Sequence, residues 1–398
     1  VRGGGGNASG TFSATSIDSL AIGGSVIGGS YVFSGQVSAG SAKSVTIGGD
    51  VRGGSDDSAG QVGFGSVGTL TIGGSVIGGT GGFSGQVSVG SGNLIIHGDV
   101  RGGTQQFSGR ITGASITNLT IDGSLIGGGP AASGSNIYTG IIDTTNLGAV
   151  KIGGDIRGGD TTGSGTSFLR ESGNISSKHI GSIFIGGSLI AGHKLSGGDT
   201  LLRSGSIEAT DDIGSITILG SIIGNAANAA LITARGQAFP TMNVDLAIKS
   251  LTVGGCVELA QILGGVDNQS AANNGNAQIG PVHVTGNWIA STLASGVASS
   301  NGIFGDGNDY AYNNGTTSKI ASIVIDGQVL GQVGTNNTFG FESRQIGSFK
   351  VGGITIPLRT GAHNDTAGSL GHVGLGRAVG ASPSSTFDDK FAVHVFEV

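Results

Sequence analysis

Twelve times along this chain one short phrase returns: two apolar residues flanking a variable one, a glycine pair or near-pair, then a second apolar stretch. It reads Leu20-Ala21-Ile22-Gly23-Gly24-Ser25-Val26-Ile27-Gly28-Gly29 and, two copies on, Leu70-Thr71-Ile72-Gly73-Gly74-Ser75-Val76-Ile77-Gly78-Gly79. A fixed internal period is the mark of a solenoid, in which each repeat buries its apolar face only against its neighbours. The glycine that closes the first strand stands at 24, 49, 74, 98, 123, 154, 187, 220, 255, 286, 327 and 353. The residue before it varies, with His97, Asp122, Leu219, Thr285 and Asp326 all found there. A position that tolerates no side chain implies either a corner with positive φ or backbone packed against the next layer.

The positions flanking the variable residue are apolar in every copy, from Leu20 and Ile22 through Ile216 and Ile218 to Phe349 and Val351. Between them sit residues as different as Ala21, Thr46, Lys151, His283 and Lys350. Inward, outward, inward is period two, the pattern of a β-strand. Successive glycines lie 25, 25, 24 and 25 residues apart, then 31, 33, 33, 35, 31, 41 and 26. About 25 residues suffices for one turn of a three-sided coil, whose third side reads Phe33-Ser34-Gly35-Gln36-Val37-Ser38 and again Phe83-Ser84-Gly85-Gln86-Val87-Ser88. Helix is disfavoured, because 83 of 398 residues are glycine and each costs roughly 1 kcal/mol in a helix interior. The longer later spacings imply insertions at one corner, which a solenoid absorbs as loops. These features predict an all-β chain, a parallel β-solenoid of about twelve coils over residues 1–356. It is expected to be right-handed, as parallel crossovers are, a single elongated domain roughly 58 Å long at ~4.8 Å per coil. Residues 357–390 read as loop and 391–398 as a terminal strand.

Composition narrows the function classes. Charged residues are 11% of the chain and the net charge is −6, with Lys and Arg dispersed, so no basic tract suggests nucleic acid. No apolar run approaches the ~18 residues of a membrane span. One cysteine, Cys256, excludes an intrachain disulfide framework, and it reads as a simple substitution in a Ser/Asp column. Val1-Arg2-Gly3-Gly4 matches Val51-Arg52-Gly53-Gly54, so the chain is expected to start in mid-coil, as a processed product or a piece of a longer protein.

The Ile-Gly-Gly-Ser/Asp-Val-x-Gly-Gly phrase resembles the glycine-rich β-strand repeats of large bacterial surface and autotransporter-like proteins, over about residues 1–356. The resemblance implies an extracellular structural or adhesive role at a bacterial cell surface. The calcium-binding nonapeptide repeat of secreted toxins is a different pattern, since its regular Asp column is absent here.

One outward column is informative. After the strand-closing glycine the residues run Ser25, Asp50, Ser75, Asp99, Ser124, Asp155, and two positions further Ile27, Arg52, Ile77, Arg101, Ile126, Arg157. Residues two apart on a strand share a face, so Asp50/Arg52, Asp99/Arg101 and Asp155/Arg157 are positioned to pair. Alternation keeps like charges two layers apart, about 9.6 Å, and sets a two-coil register. The column reads either as a stabilising ladder, with Ile packed on Arg stems, or as a lateral contact face. From Ile190 and Ile223 onward the arginines disappear, and the face is expected to turn apolar.

Enzymatic readings are weaker. The acidic pairs Asp56-Asp57, Asp211-Asp212 and Asp388-Asp389 are expected as solvated turn residues, whereas glycosidases need two carboxylates ~5–9.5 Å apart on rigid elements. Asp306-Gly307-Asn308-Asp309 resembles a fragment of a calcium loop without the closing Glu. His363 and Asp365 with His372 lack a fourth zinc ligand, and His97 and His283 read as surface residues. No cofactor, metal or catalytic set is expected. The chain reads as a structural unit of an extracellular filament, sheath or surface layer. An adhesin or carbohydrate-binding module, with surface polysaccharide as partner, is the alternative, and a polysaccharide-acting enzyme comes third. The expected self-contact is head to tail: Phe391, Val393 and Val395 alternate with Phe396 in a terminal strand that could add to the open coil at Val1 and Arg2 of the next copy. The alternative is that this strand caps its own chain.

Overall fold

In the computed structural model the described residues are 1–130, 135–267, 271–305, 309–331, 339–362, 364, 366–367 and 393–397. Apart from one 3-10 turn at Tyr312–Asn314, every regular element among them is a β-strand. The strands stack in parallel at the sequence period, and the protein is a parallel β-solenoid. Its residues fall into two compact units, Val1–Ile207 with Asn225–Ala230, and Glu208–Gly224 with Leu231–Val398.

In the first unit each early coil is one long strand, a tight corner, and a two-residue strand. The long strands Thr11–Ile22, Gln36–Ile47, Gln61–Ile72, Gln86–Ile96, Arg110–Ile121, Ile141–Ile152 and Asn174–Ile185 pair in sequence. Within Gln36–Ile47 the buried positions are 37, 39, 42, 45 and 47. The in–out alternation therefore slips twice, at 40–41 and at 43–44, and each slip bends the strand while keeping an apolar residue inward. The segment expected as a separate third side is thus the first part of this same bent strand, beginning at Gln36. Phe33, Ser34 and Gly35 belong to the corner before it. The core is a set of columns one residue wide, such as Val45, Leu70, Leu94, Leu119, Val150 and Ile183, none more than 2% exposed. The short strands contribute another, Val26, Val51, Val76, Val100, Leu125, Ile156 and Leu189, all fully buried.

The first insertions are not irregular. Ser135–Ile137, Phe168–Arg170 and Thr200–Leu202 pair in parallel as a small sheet of their own. Asp199 closes the loop beside it: its carboxylate accepts the N–H groups of Gly163, Gly165 and Ser167 at 2.9, 2.8 and 3.1 Å.

In the second unit the strands Ile213–Ile218, Leu246–Val253, Gln278–Val284, Lys319–Ile325 and Phe349–Val351 form one ladder. Ala260–Gly264, Thr292–Ser295 and Phe339–Ser343 form another. The coil is filled near its end by aromatic rings, with Trp288 5.1 Å from Phe341 and Phe341 4.7 Å from Phe349. Leu231, Leu263, Val266, Ala294, Val297 and Phe304 form one buried apolar cluster of this unit. The last copy of the phrase leaves the solenoid pattern. Gly352 and Gly353, at φ +55° and +81°, turn Phe349–Val351 back into the antiparallel strand Ile354–Ile356.

Candidate functional site

From Gly49 to Gly187 the strand-closing glycines are explained by close packing, whereas an added Cβ at Gly24 or Gly353 would meet nothing within 4 Å. Gly49, Gly74, Gly98, Gly123, Gly154 and Gly187 have no positive φ. A Cβ added at Gly74 would lie 2.1 Å from Asp50 Oδ1, and one added at Gly98 would lie 2.2 Å from Ser75 Oγ. Those oxygens are held there by hydrogen bonds. Ser25 Oγ accepts the N–H of Asp50 at 3.0 Å, Asp50 Oδ1 that of Ser75 at 2.8 Å, and Ser75 Oγ that of Asp99 at 3.0 Å. Asp99 then accepts from Ser124, Ser124 from Asp155, and Asp155 from Ser188, at 2.7, 3.0 and 2.8 Å. In the second unit Ser221 Oγ accepts from Cys256 at 3.0 Å and Cys256 Sγ from Asn287 at 3.4 Å. Ser, Asp, Cys and Asn share one property, a short side chain ending in an acceptor. The column is an inter-coil ladder of side-chain acceptors, and the missing side chain at the glycine makes room for it.

The charge pairing lies on top of that ladder. Arg52 Nε is 2.9 Å from Asp50 Oδ2, and Arg101 NH2 is 2.7 Å from Asp99 Oδ2, both arginines half-exposed. Among the described residues no ion pair joins Asp155 to Arg157. Exposed pairs of this kind contribute ~0–1 kcal/mol. A buried backbone N–H left without its acceptor costs ~1–3 kcal/mol, so the Oδ1 bonds outweigh the Oδ2 pairs. Desolvation raises the carboxyl pKa of Asp50 and Asp99. The backbone N–H of the next coil and the adjacent arginine together outweigh it, and both groups sit below the ordinary aspartate value.

Ile27, Ile77 and Ile126 alternate with the arginines on paired rungs and are half-buried. Arg2 adds a rung before Ile27, with Gly3 N donating to Ile27 O at 2.8 Å and Ile27 N to Val1 O at 3.0 Å. In the second unit this column runs Ile223, Glu258, Ile289, Leu330. Glu258 breaks the wholly apolar face expected after Ile223.

The corner before each long strand carries a feature that strand periodicity could not reveal. Ala8, Phe33, Ser58, Phe83, Phe107, Tyr138, Glu171 and Arg203 all have φ between 50° and 64°. Two residues on, Gly35 and its equivalents are also left-handed, and a Cβ at Gly35 would meet Ile27 O at 2.1 Å. The residue between is a buried Ser in most coils. Ser34 Oγ accepts the N–H of Gly29 at 2.9 Å and donates to Tyr31 O at 2.6 Å, and Ser84 does the same with Gly79 and Gly81. This pair of hydrogen bonds fixes the corner, and where successive coils carry a ring at the left-handed position the rings stack. Phe83 and Phe107 have ring centroids 4.7 Å apart, Phe107 and Tyr138 5.0 Å, and the Arg110 guanidinium lies 4.9 Å from the Phe107 centroid. The repeated Phe-Ser-Gly was the signal; its conformation was not readable from it.

The acidic pairs do not converge. Asp56 Oδ1 accepts Asp57 N–H at 2.8 Å and Asp57 Oδ1 accepts Gly82 N–H at 2.8 Å, both near the surface. Asp211 departs from the expectation of a solvated turn: it is 4% exposed and binds Arg235 at 3.2 Å. His97 and His283 are exposed, paired with Asp122 at 2.7 Å and Asp326 at 2.9 Å. Among the described residues no three His, Cys, Asp or Glu side chains gather to hold a metal. Asp309 Oδ2 accepts Gly305 N–H at 2.7 Å, while Asp306 and Asn308 lie outside the described residues, as do His363, Asp365, His372 and Asp388-Asp389.

The terminal strand Val393–Glu397 is a rung of its own chain. It pairs in parallel with Phe339–Ser343, placing Val393 opposite Phe339 and Val395 opposite Phe341, and Val395 is fully buried. Phe396 stands opposite Glu342 in that ladder, and Glu397 accepts the N–H groups of Ile346 and Asn364 at 2.9 and 3.1 Å. Phe391 lies outside the described residues. No helix among the described residues is long and apolar enough to cross a membrane.

Fold and columns together define the class, a parallel β-solenoid whose polar columns are used to bond coil to coil. Comparison with protein-family models, with curated proteins and with solved structures yields no match.

Proposed function

We propose that this chain is a structural unit of an extracellular filament, sheath or surface layer, assembling end to end by β-strand addition at a bacterial cell surface. The observation that carries the reading is the edge of Thr11–Ile22. That strand pairs with Gln36–Ile47 and with no other strand among the described residues. Its inward positions are uncovered: Phe12 is 39% exposed, where its neighbour Val37 is fully buried. An open edge with exposed apolar residues is a template for a further coil, and this reading assigns that coil to a second copy of the chain. The donor is not Val393–Glu397 in this arrangement, because those residues already pair with Phe339–Ser343. The ladder of acceptors supports the same reading, since it bonds each coil to the next in a fixed register.

The test is assembly of purified residues 1–398, followed by light scattering and electron microscopy, against a Ser16→Pro variant that removes an N–H from the edge strand. Filaments or end-to-end dimers that weaken in the variant support the reading. A chain that stays monomeric at millimolar concentration overturns it.

One loop favours a second reading, the adhesive module. Gln237–Val244 carries no charged residue and is tied down by Gln237 N–H to Asp245 Oδ1 at 2.6 Å and Val244 N–H to Thr241 Oγ1 at 3.1 Å. It presents Phe239 and Met242 at 94% and 91% exposure. Retention of wild-type surface adhesion by a Phe239→Ser/Met242→Ser variant would dismiss that reading.

A further inference from the structure

The aromatic stack at the corner has a missing rung. Phe33, Ser58 and Phe83 occupy consecutive rungs of one hydrogen-bonded column: Phe33 N–H donates to Asp57 O at 3.3 Å, Ser58 N–H to Gly82 O at 2.8 Å, and Phe83 N–H to Gln106 O at 2.9 Å. All three share the left-handed backbone, at φ 55°, 56° and 54°. Beyond Phe83 the column continues as stacked rings at 4.7 and 5.0 Å. At 58 the ring is replaced by a serine, and Phe33 on the far side is 51% exposed. Two coil spacings, ~9.6 Å, therefore separate the two phenylalanine rungs, leaving room for one flat group at ~4.8 Å from each.

The rim of this gap is acidic. Asp57 is exposed and leans toward the Phe83 coil through its bond to Gly82 N–H, and Asp56 lies beside it. Each uses Oδ1 for a backbone N–H and makes no ion pair among the described residues. The corner is stiff, because Gln36 Nε2 donates to Ser58 O at 3.1 Å and Gln61 Nε2 to Phe83 O at 2.9 Å.

We infer that this gap is a binding slot for a guanidinium group, the arginine side chain of a partner polypeptide. A flat cation satisfies both features at once, stacking on aromatic faces within the ~6 Å range of cation–π attraction and presenting N–H donors to carboxylates. The same column already contains the contact: Arg110 sits 4.9 Å from the Phe107 centroid. Lysine lacks the flat face, and a neutral sugar ring leaves the two negative charges unanswered.

The experiment follows the ring signals of 13C-phenylalanine-labelled protein while the peptides acetyl-Gly-Arg-Gly-amide, acetyl-Gly-Lys-Gly-amide and a methyl glucopyranoside are titrated in. Saturable shifts at Phe33 and Phe83 with the arginine peptide are expected, with the lysine peptide about 5-fold weaker or more. Ser58→Phe fills the gap in a backbone conformation that Phe33, Phe83 and Phe107 already adopt, so it should fold and lose the response. Asp56→Asn/Asp57→Asn keeps both backbone acceptors and should weaken binding roughly 5-fold. An undiminished arginine response in Ser58→Phe, a pyranoside that saturates where arginine does not, or no saturable response at all would overturn the assignment. None of these outcomes depends on whether the chain forms filaments.

Discussion

Asp50 Oδ1 lies where a Cβ of Gly74 would have to stand, 2.1 Å from that position, while accepting the N–H of the next residue, Ser75, at 2.8 Å. One atom thus explains two columns of the repeat. The acceptor bonds coil to coil, and the glycine exists to admit it. The same pairing recurs at Ser75 with Gly98 and at Asp99 with Gly123.

Gly74→Ala should therefore displace Asp50 and strand the Ser75 N–H. A loss of about 1–3 kcal/mol in urea unfolding is expected. Gly23, whose Cβ would meet nothing within 4 Å, is the control, and Gly23→Ala should change stability by less than about 0.5 kcal/mol. Equal effects at the two positions would contradict the packing account.

Acid should loosen the ladder at its aspartates. Folded Asp50 and Asp99 titrate below the free value of 3.8, so their contribution is complete above that pH and disappears as pH falls through the lower folded pKa. Asp50→Asn/Asp99→Asn retains an acceptor oxygen at each rung without titrating. Its stability should fall less than wild type between pH 5 and acid, as followed by thermal melts. At Asp199, burial raises the pKa, but the Thr161 and Ser167 hydroxyls and the N–H groups of Ser167 and Gly163 bring it down to about 2. The loop around 163–167 should stay closed to protease until the pH approaches that value.

Cys256 is a rung, so its replacements should sort by acceptor capacity. Cys256→Ser introduces the commonest residue of this column and should be within about 0.5 kcal/mol of wild type. Cys256→Val removes the acceptor for Asn287 N–H and should cost about 1–2 kcal/mol in the same unfolding assay. If valine is as stable as serine, Sγ contributes nothing to the ladder.

Removing residues 393–398 takes away the rung on Phe339–Ser343 and the Glu397 acceptors for Ile346 and Asn364. Hydrogen exchange should accelerate in Phe339–Ser343 and around Ile346, with Gln36–Ile47 unchanged, as expected where each rung contacts only its neighbours. End-to-end assembly through the Thr11–Ile22 edge should survive. Its disappearance in the truncated chain would return the donor role to the terminal strand.

Much of this was legible in the sequence because the contacts repeat at the period of the chain. Strand positions, the inward columns and the glycine series follow from comparing copies, since residue i always meets its equivalents one coil away. The paired placement of Asp50 with Arg52 and Asp99 with Arg101 was legible for the same reason. What the ladder does was not, because charge drew attention to Oδ2 and arginine while the stronger bond runs from Oδ1 to a backbone N–H, which no alphabet of residues displays. The left-handed corner was hidden too, since Phe33, Ser58 and Arg203 share a φ that their side chains do not announce.

The sequence by itself determined a parallel β-solenoid and the order of its rungs, because a two-residue alternation renewed every 25 residues has few other ways to bury its apolar half. Only the tertiary structure decided where the pattern stops being periodic. It turned Gly352 and Gly353 into a hairpin, made Asp211 a buried partner of Arg235, and placed Val393–Glu397 on Phe339–Ser343. Each of these arrangements occurs once in the chain, the hairpin between neighbouring segments and the other two between segments further apart, and a contact made once has no period to betray it.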